Sequence, residues 1–599
     1  MKKYLFIALA ALGFAACSEK FDETKSPSHN GEIEESYIAI NLMAADSDTR
    51  AQDPDNEKDG GYEYGTVAER AVKSAYFFFF DEAGKPFSVT ANADNQATAP
   101  GTVDGKNHLS LTIGETTGKT DPNVSDIKKA VLILSTYKGV YPSKIVAVLN
   151  WTPVGNQSYS LEQLHEALAT IGNDNNGYVM SNSVYMDGAG MMVNAVPLIA
   201  ANIKTTPEAA MAAPVDIYVE RTAAKVVLTA SKGTKVDDYV IFDTQKSSTP
   251  VPSTGTSSKI DVYVKLHGWE LYNDYATSHL LKNIENWDVA TLGLTWNDIP
   301  YYRCYWAKSQ DTDHSDKFAW SYTDEDKSQK GFKTNYGFGI ASIVENKIVD
   351  ERSTYTYCGE NTNQAEKDGE GKITSDPRTK VILKGQLMQK NGDNYEPLEL
   401  ARWYGTEYAG NEALRIAVAN SLKYTLFYYD EGSKKHIGIT PEDLQCVEGT
   451  KVGAEAYEVG FQLSNTEGKG TNREWFKYDS KNGYVTFGTL DTEGVNASKT
   501  NEYLKNVEPA LLYASGQTYY HIDIKHLGAT GKTAEYGVVR NHVYQIDVES
   551  ITGYGSPVYN EHSNLENPDY PQLDESSYVA ARINVLSWKV VKQGVNIQQ

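Results

Sequence analysis

Cysteine is scarce in this chain, with four copies in 599 residues. Beyond Cys17 only Cys304, Cys358 and Cys446 remain, and none lies in a CxxC pair or at metal-ligand spacing from a histidine. Three cysteines cannot complete a disulfide framework, although one disulfide between two of them is possible. The composition therefore argues against a fold held by disulfides or zinc, and stability must come from apolar burial.

Positive charge is in deficit, since 56 lysines and arginines face 79 aspartates and glutamates and the formal net charge is −23. An acidic surface repels phosphate groups, so nucleic acid and anionic membranes are poor partners. After the N-terminus, no apolar run reaches the roughly 18 residues that a membrane-spanning helix needs. The acidity instead indicates solubility on a cell surface.

Signatures of catalysis and ligand binding are missing as well. HExxH and GxSxG motifs are absent, and two segments that end in Gly-Lys-Thr (114–120 and 528–533) have Ile113 and His526 where a phosphate loop requires glycine. The acidic segments 53–57 and 311–316 lack the glycine and glutamate of an EF-hand calcium loop. We therefore predict a protein that is not an enzyme, with no catalytic residue, metal site or cofactor.

Tyrosine and glycine, by contrast, are abundant, with 41 and 47 copies. This mixture is typical of a mainly β chain with many short strands joined by turns. Residues 130–134 and 145–149 are continuous apolar runs of the kind that buried strands show. Ser160, with Gln163 three residues later, forms a capping box that predicts the start of a helix. A Ser/Thr/Pro/Gly-rich segment at 244–258 indicates a nearby domain boundary.

The N-terminus has the pattern of a lipoprotein signal peptide. Two lysines precede an apolar run at residues 4–14, which is too short to span a membrane, and Ala15 and Ala16 then precede Cys17. A cysteine in this position predicts lipid attachment, although Phe14 stands where leucine is commonest. The alternative is an ordinary signal peptide cut near Ala16, with Cys17 incidental.

The first predicted strand lies at residues 37–43. Ile38, Ile40 and Leu42 alternate with other residues and so share one face of this strand. The polar stretch after it, at residues 44–61, predicts an exposed loop, which is where proteases cut. Arg50 is the only lysine or arginine between Lys25 and Lys58.

The C-terminus is also strand-like. Residues 578–591 carry many β-forming residues, Gly594 interrupts the pattern, and Val595 and Ile597 resume the alternation. An alternating apolar strand at the end of a chain can add to the sheet of another molecule.

Aromatic residues are densest between Trp269 and Trp306. The cluster comprises Trp269, Tyr272, Tyr275, Trp287, Trp296, Tyr301, Tyr302, Tyr305 and Trp306. Such rings can stack on sugars, but packing in a β-rich core is the favoured interpretation.

Several segments together resemble the fimbrillins of Bacteroidales, the shaft subunits of type V pili, and most of all the major subunit of the short (minor) fimbriae. These segments are residues 72–76 and 80–85, 180–185 (MSNSVY), 219–226 (VERTAAKV), 302–307 (YRCYWA), 537–544 (GVVRNHVY) and 583–588 (INVLSW). Each is weak alone, but they run in order from the first strands to the C-terminus.

The resemblance implies two tandem transthyretin-like β-sandwich domains with a few short helices. It also implies export as a lipoprotein to the outer membrane surface and cleavage by an arginine-specific protease between Arg50 and Ala51. Arg70 is a second candidate arginine, but it leads into a predicted helix and strand. Removal of the first strand, with Ile38, Ile40 and Leu42, opens a groove that the C-terminal strand of another subunit fills. That donor strand carries Val585, Leu586, Trp588, Val590, Val595 and Ile597.

On this basis we divide the chain into a signal peptide (1–17), a propeptide (18–50), an N-terminal sandwich (51–240), a C-terminal sandwich with insertions (241–577) and C-terminal strands (578–599). The predicted partners are other copies of the chain in a head-to-tail polymer, the processing protease, anchor and tip subunits, and surface ligands of host or bacterial cells. The predicted role is a fimbrial shaft used in adhesion and biofilm formation. An anchor or tip subunit, or a surface glycan-binding lipoprotein, are the alternatives.

Overall fold

The structure is a computed structural model. It describes residues 33–44, 59–62, 66–89, 106–112, 130–137, 139–154, 157–171, 177–186, 192–236, 239–244, 250–252, 260–275, 277–284, 306–309, 355–371, 373–448, 458–490, 492, 494–558, 578–586 and 589–593. These residues form a mainly β protein with a few short helices, as the sequence predicts.

Strands are numbered in chain order. The N-terminal ones are β1 (Ile33–Ala44), β2 (Asp59–Tyr62), β3 (Ser74–Phe80), β4 (His108–Thr112), β5 (Ala130–Tyr137), β6 (Lys144–Leu149), β7 (Leu168–Thr170), β8 (Met180–Asn182), β9 (Tyr185–Met186), β10 (Met192–Val193), β11 (Val196–Pro197) and β12 (Val215–Arg221). They are followed by β13 (Ala224–Thr229), β14 (Thr234–Val236), β15 (Tyr239–Asp243), β16 (Val251–Pro252), β17 (Val262–Tyr272), β18 (Thr277–His279), β19 (Tyr355–Cys358), β20 (Glu366–Lys367), β21 (Ile373–Ser375), β22 (Lys380–Asn391), β23 (Asn394–Pro397), β24 (Leu400–Trp403) and β25 (Thr406–Ala409).

The remaining strands are β26 (Phe427–Asp430), β27 (Lys435–Gly438), β28 (Leu444–Glu448), β29 (Glu458–Leu463), β30 (Trp475–Asp479), β31 (Gly483–Thr486), β32 (Ala510–Tyr513), β33 (Gln517–Asp523), β34 (His542–Thr552), β35 (Ser556–Pro557), β36 (Tyr578–Leu586) and β37 (Lys589–Gln593). The α-helices are α1 (Val67–Arg70), α2 (Leu161–Glu166), α3 (Pro207–Met211), α4 (Asn411–Leu422) and α5 (Ala497–Leu504). Helix α2 begins at the predicted capping box, where Ser160 and Gln163 bond each other's backbone N–H.

The first sheet has the strand order β4-β3-β6-β8-β12-β1-β5, with β11 added to β6. One hydrophobic cluster takes buried side chains from β3, β6, β8, β12, β1 and β5, so these six strands share one core. A second cluster, which includes Phe78, Phe80, Val146 and Val148, covers the opposite face of β3 and β6. Burial on both faces explains why residues 145–149 read as a continuous apolar run.

The second and third sheets form a β-sandwich. Their strand orders are β19-β13-β34-β36-β37-β2 and β14-β15-β17-β22-β33-β35, with β23 added to β22. Side chains of β13 and β34 meet those of β15, β17, β22 and β33 in a single cluster. A fourth sheet (β16-β25-β24-β32-β29-β28) packs against α4 and α5 around a separate cluster, which a fifth sheet (β27-β26-β30-β31) adjoins.

The chain passes from the first sheet to the second between β12 and β13. The predicted division at residue 240 stays a prediction, and we propose moving it to Thr222 and Ala223 because β13 pairs with β19 and β34 rather than with the first sheet.

The carboxylate of Glu69 on α1 lies at this crossing and is 1% exposed. Its Oε1 accepts hydrogen bonds from Lys225 Nζ at 2.8 Å and from the Tyr357 hydroxyl at 2.5 Å. Arg221 Nε donates to the backbone oxygen of Glu69 at 2.6 Å. Helix α1 is thereby bonded to β12, β13 and β19 at once.

Burial by itself raises the pKa of Glu69. Hydrogen bonds from Lys225, Tyr357 and the Thr66 N–H, together with the nearby ammonium charge, outweigh burial and lower the pKa from 4.5 to about 2. A depressed carboxyl pKa stabilises the fold above the ordinary pKa, and this contribution disappears as the pH falls through about 2.

We therefore expect Glu69→Gln to lower the free energy of unfolding at pH 7 by about 2 to 3 kcal/mol, because a shift of one pKa unit corresponds to about 1.4 kcal/mol. The difference from wild type should shrink between pH 4.5 and pH 2 in urea titrations. The control is Glu162→Gln on the exposed side of α2. If the difference in the free energy of unfolding between wild type and Glu69→Gln stays constant across this pH range, the low pKa assigned to Glu69 is wrong.

Candidate functional site

The strand β1 is an interior strand of the first sheet. Its residues 33–40 pair antiparallel with residues 137–130 of β5, and residues 40–44 pair parallel with residues 215–219 of β12. On the β12 side, Tyr37 also exchanges two backbone hydrogen bonds with Lys204, at 2.8 and 2.9 Å. The strand therefore occupies a slot with hydrogen-bonding neighbours on both edges.

Side chains of β1 are buried on both faces. Ile38 and Ile40 are 0% exposed and belong to the core cluster of the first sheet, while Ser36 and Ala39 are also buried. The sequence places Leu42 on the face of Ile38 and Ile40; it lies in β1, but its side chain is outside the described residues. Each well-buried isoleucine stabilises the fold by roughly 1.5–3 kcal/mol.

Strand β5 depends on β1. In the part of the chain that the structure describes, β1 is the only strand with which β5 pairs. Loss of β1 would separate β5 from β12 and leave unpaired backbone groups on both of them. Unpaired strand edges readily accept another strand. The gap between β5 and β12 would also expose the apolar core in which Ile38 and Ile40 are buried.

The C-terminal strands lie in the second sheet. Strand β36 pairs antiparallel with β34 along its whole length, with Val585 opposite Tyr544 and Leu586 opposite Val543. Strand β37 folds back on β36, and its other edge pairs with β2, where Val590 lies opposite Gly61. The predicted donor segment thus lies in the sheet of its own chain.

Several predicted site residues fall outside the described residues. They are Cys17, Arg50, Ala51, Trp588, Val595 and Ile597. For Val585, Leu586 and Val590 the backbone pairing is described but the side chains are not. Lipidation, cleavage and strand donation therefore stay predictions, whereas the slot that β1 fills is a structural fact.

The sandwich beneath the C-terminal strands has its own neighbours. Strand β34 pairs with β13 on the edge that does not face β36. Tyr544, Ile546 and Val548 of β34 are buried in the cluster that β13, β17 and β22 share. These contacts do not involve β36 or β37.

The described members of the aromatic cluster pack in the interior. Trp269, Tyr272, Tyr275 and Trp306 are all buried, and Trp269 and Trp306 belong to the core of the C-terminal sandwich. This confirms the packing interpretation for these four residues and leaves them no open ring face for a sugar. Trp287, Trp296, Tyr301, Tyr302 and Tyr305 lie outside the described residues.

The described residues contain no group of three His, Cys, Asp or Glu side chains that could hold a metal ion.

Cys358 and Cys446 are both free thiols, so these two do not form the disulfide that the sequence left open. Burial raises the pKa of the Cys446 thiol to about 12, which makes it a poor nucleophile. No described helix is long and apolar enough to cross a bilayer.

These features define a β-sandwich protein in which β1 fills a slot between β5 and β12, and in which the C-terminal strands β36 and β37 lie between β34 and β2 in the second sheet. Residues 511–594 match the family model "Major fimbrial subunit protein type IV, Fimbrillin, C-terminal". The match confirms the resemblance to the fimbrillins, a family of fimbrial subunits.

Solved structures of fimbrial proteins are also similar to this chain. A fimbrilin (FimA) from Porphyromonas gingivalis is 12% identical, with 93% of this chain and 98% of that chain covered and a TM-score of 0.34. The tip fimbrial protein Mfa3 from the same species is 10% identical, with 92% and 100% covered and a TM-score of 0.26. At such TM-scores these likenesses carry no argument about this chain. No curated protein sequence matches it.

We expect Ile40→Ala to lower the free energy of unfolding of the precursor by about 2 to 4 kcal/mol, because it leaves a cavity in the first core. The matched control is Ile133→Ala on β5, the residue opposite Tyr37, whose side chain is 51% exposed. That substitution should cost less than about 0.5 kcal/mol. Equal losses for the two variants in urea unfolding would contradict the burial of β1.

Proposed function

We propose that this chain is a shaft subunit of cell-surface fimbriae and that it polymerises by donor-strand exchange after proteolysis. The observation that carries the proposal is the place of β1, an interior strand near the N-terminus that fills a slot between β5 and β12. An interior strand is normally indispensable. Because β1 precedes the predicted cleavage site, it can fill the slot until the chain is cut and then leave.

Cleavage after Arg50 removes β1 together with the predicted lipid on Cys17. The order of these features along the chain supports this step, since Arg50 follows the end of β1 at Ala44 and precedes β2 at Asp59. The cut thus separates β1 from the mature chain, which keeps every other described strand.

Cleavage after Arg70 is disfavoured by the hydrogen bonds around that peptide. Arg221 holds the backbone oxygen of Glu69, and Asn150 Nδ2 donates to the backbone oxygen of Ala71 at 2.7 Å. Arg70 itself ends α1. A protease needs several residues in extended form in its active site, so α1 would first have to unfold.

The donor strand comes from the C-terminal segment of a second subunit. Leu586, Trp588 and Val590 recur at every second residue, the same spacing as Ile38, Ile40 and Leu42. Val595 and Ile597 have the same two-residue spacing after Gly594 interrupts the pattern. A donor that reproduces both ladders of β1 runs antiparallel to β5 and parallel to β12.

Donation from the C-terminus of one subunit to the N-terminal sheet of the next is head-to-tail. Heterologous contacts of this kind build open filaments unless the rotation closes a ring. Adhesion, biofilm formation, and binding to anchor and tip subunits or to surface ligands then belong to the assembled fimbria.

An anchor or tip subunit of the same fimbriae is the alternative function. An anchor would keep β1 and its lipid, and a tip need not donate a strand.

An arginine-specific protease should convert the purified precursor into a form that begins at Ala51 and assembles into a ladder of multimers. The Arg50→Ala precursor should stay monomeric under the same treatment. N-terminal sequencing and denaturant-free gel electrophoresis provide the readout. Assembly of Arg50→Ala to the wild-type extent would refute the cleavage switch.

Deletion of residues 585–599 should leave a folded subunit that is cleaved normally but does not polymerise, since the donor is lost while its slot still opens. Added to cleaved wild-type subunits, the truncated subunit should cap growing filaments, because it accepts a strand without donating one. Size-exclusion chromatography measures both effects. Long multimers formed by the truncated subunit alone would refute the donor assignment.

A further inference from the structure

The short strand β2 lies between the predicted cleavage site and α1. It pairs antiparallel with β37, with Asp59 opposite Val591, Gly61 opposite Val590 and Tyr62 opposite Lys589. On its opposite edge β37 pairs with β36, so the predicted donor strand has neighbours on both edges. A strand in this position cannot pair with another subunit until at least one neighbour leaves.

As a strand, β2 is intrinsically weak. Its four residues are Asp59, Gly60, Gly61 and Tyr62, and the pairing with β37 shifts register between Asp59 and Gly61. Glycine and aspartate disfavour strands, and glycine loses the most conformational freedom when ordered. Local preference therefore does not explain why this segment is paired.

The pairing of β2 with β37 is better explained by the attachment of this segment at both of its ends. Downstream, Thr66 caps the N-terminus of α1. Glu69 of this helix is bonded to Lys225, to Tyr357 and, through its backbone, to Arg221. Upstream, residues 45–58 connect β2 to the buried strand β1. Two fixed ends reduce the conformational freedom that the segment loses when it pairs with β37.

Resting on the proposed function, we propose that β2 (residues 59–62) is a latch on the outer edge of β37, and that the cut at Arg50 which frees β1 also releases this latch. After the cut, residues 51–58 become a free chain end and β2 keeps only its downstream anchor. A single proteolytic event then prepares both ends of the subunit: the slot opens in the first sheet, and the donor strand gains a free edge in the second.

Hydrogen–deuterium exchange of residues 589–593 tests the coupling directly. In the precursor these amides should be protected, and in the cleaved subunit, held dilute enough to stay monomeric, they should exchange at least about tenfold faster. Amides of β22, within the sandwich, should not change and serve as the internal control. Equal exchange of residues 589–593 before and after cleavage overturns the latch, whether or not the subunit polymerises.

A reversible lock tests its consequence for assembly. Asp59→Cys with Val591→Cys joins two directly paired positions, a suitable geometry for a disulfide, and changes none of the predicted donor side chains. The locked precursor should be cut normally yet stay monomeric until a reductant is added. The matched control pair, Lys477→Cys with Val485→Cys, joins paired positions of the β30–β31 hairpin and should assemble while oxidised.

The outcomes separate the latch from the donor-strand proposal. Assembly of the locked, oxidised subunit overturns the latch. Faster exchange of β37 after the cut, without multimers of the cleaved wild type, supports the latch and refutes strand donation.

Discussion

The structure depends on one strand more than on any other feature. β1 completes the hydrogen-bonding of both β5 and β12 and places Ile38 and Ile40 in the first core. Backbone groups buried away from water must be paired, so a sheet with this strand missing has to find a substitute. The proposed assembly by donor-strand exchange rests on this requirement.

The two halves of the molecule carry opposite parts of this arrangement. The first sheet contains the slot, and the second sheet contains the C-terminal strands β36 and β37. Between them lies a junction of buried charges, where Glu69 bonds to Lys225 and where Lys282 pairs with Glu220 at 2.9 Å with both side chains fully buried. Removing one partner of a buried pair is costly, so this junction stabilises the contact between the two halves.

Much of the candidate site could be predicted from the sequence because it rests on local patterns. The alternation of Ile38, Ile40 and Leu42 predicts a strand with one apolar face, and β1 lies there. The capping box at Ser160 predicts the start of α2. The aromatic residues around Trp269 suit a β core, and the described ones are buried in it. Each of these patterns depends on neighbours a few residues apart, which the sequence displays directly.

Chain order and local periodicity determined by themselves that this is a β-rich protein with a short early strand, a lone arginine after it and a strand-like end. Only the tertiary structure decided that β1 is interior rather than at an edge, and that β13 joins the second sheet. It also decided that β2, a glycine-rich stretch which the sequence assigns to a loop, pairs with β37. Strand pairing is set by contacts between residues hundreds of positions apart, and no local pattern specifies which edge a strand will find.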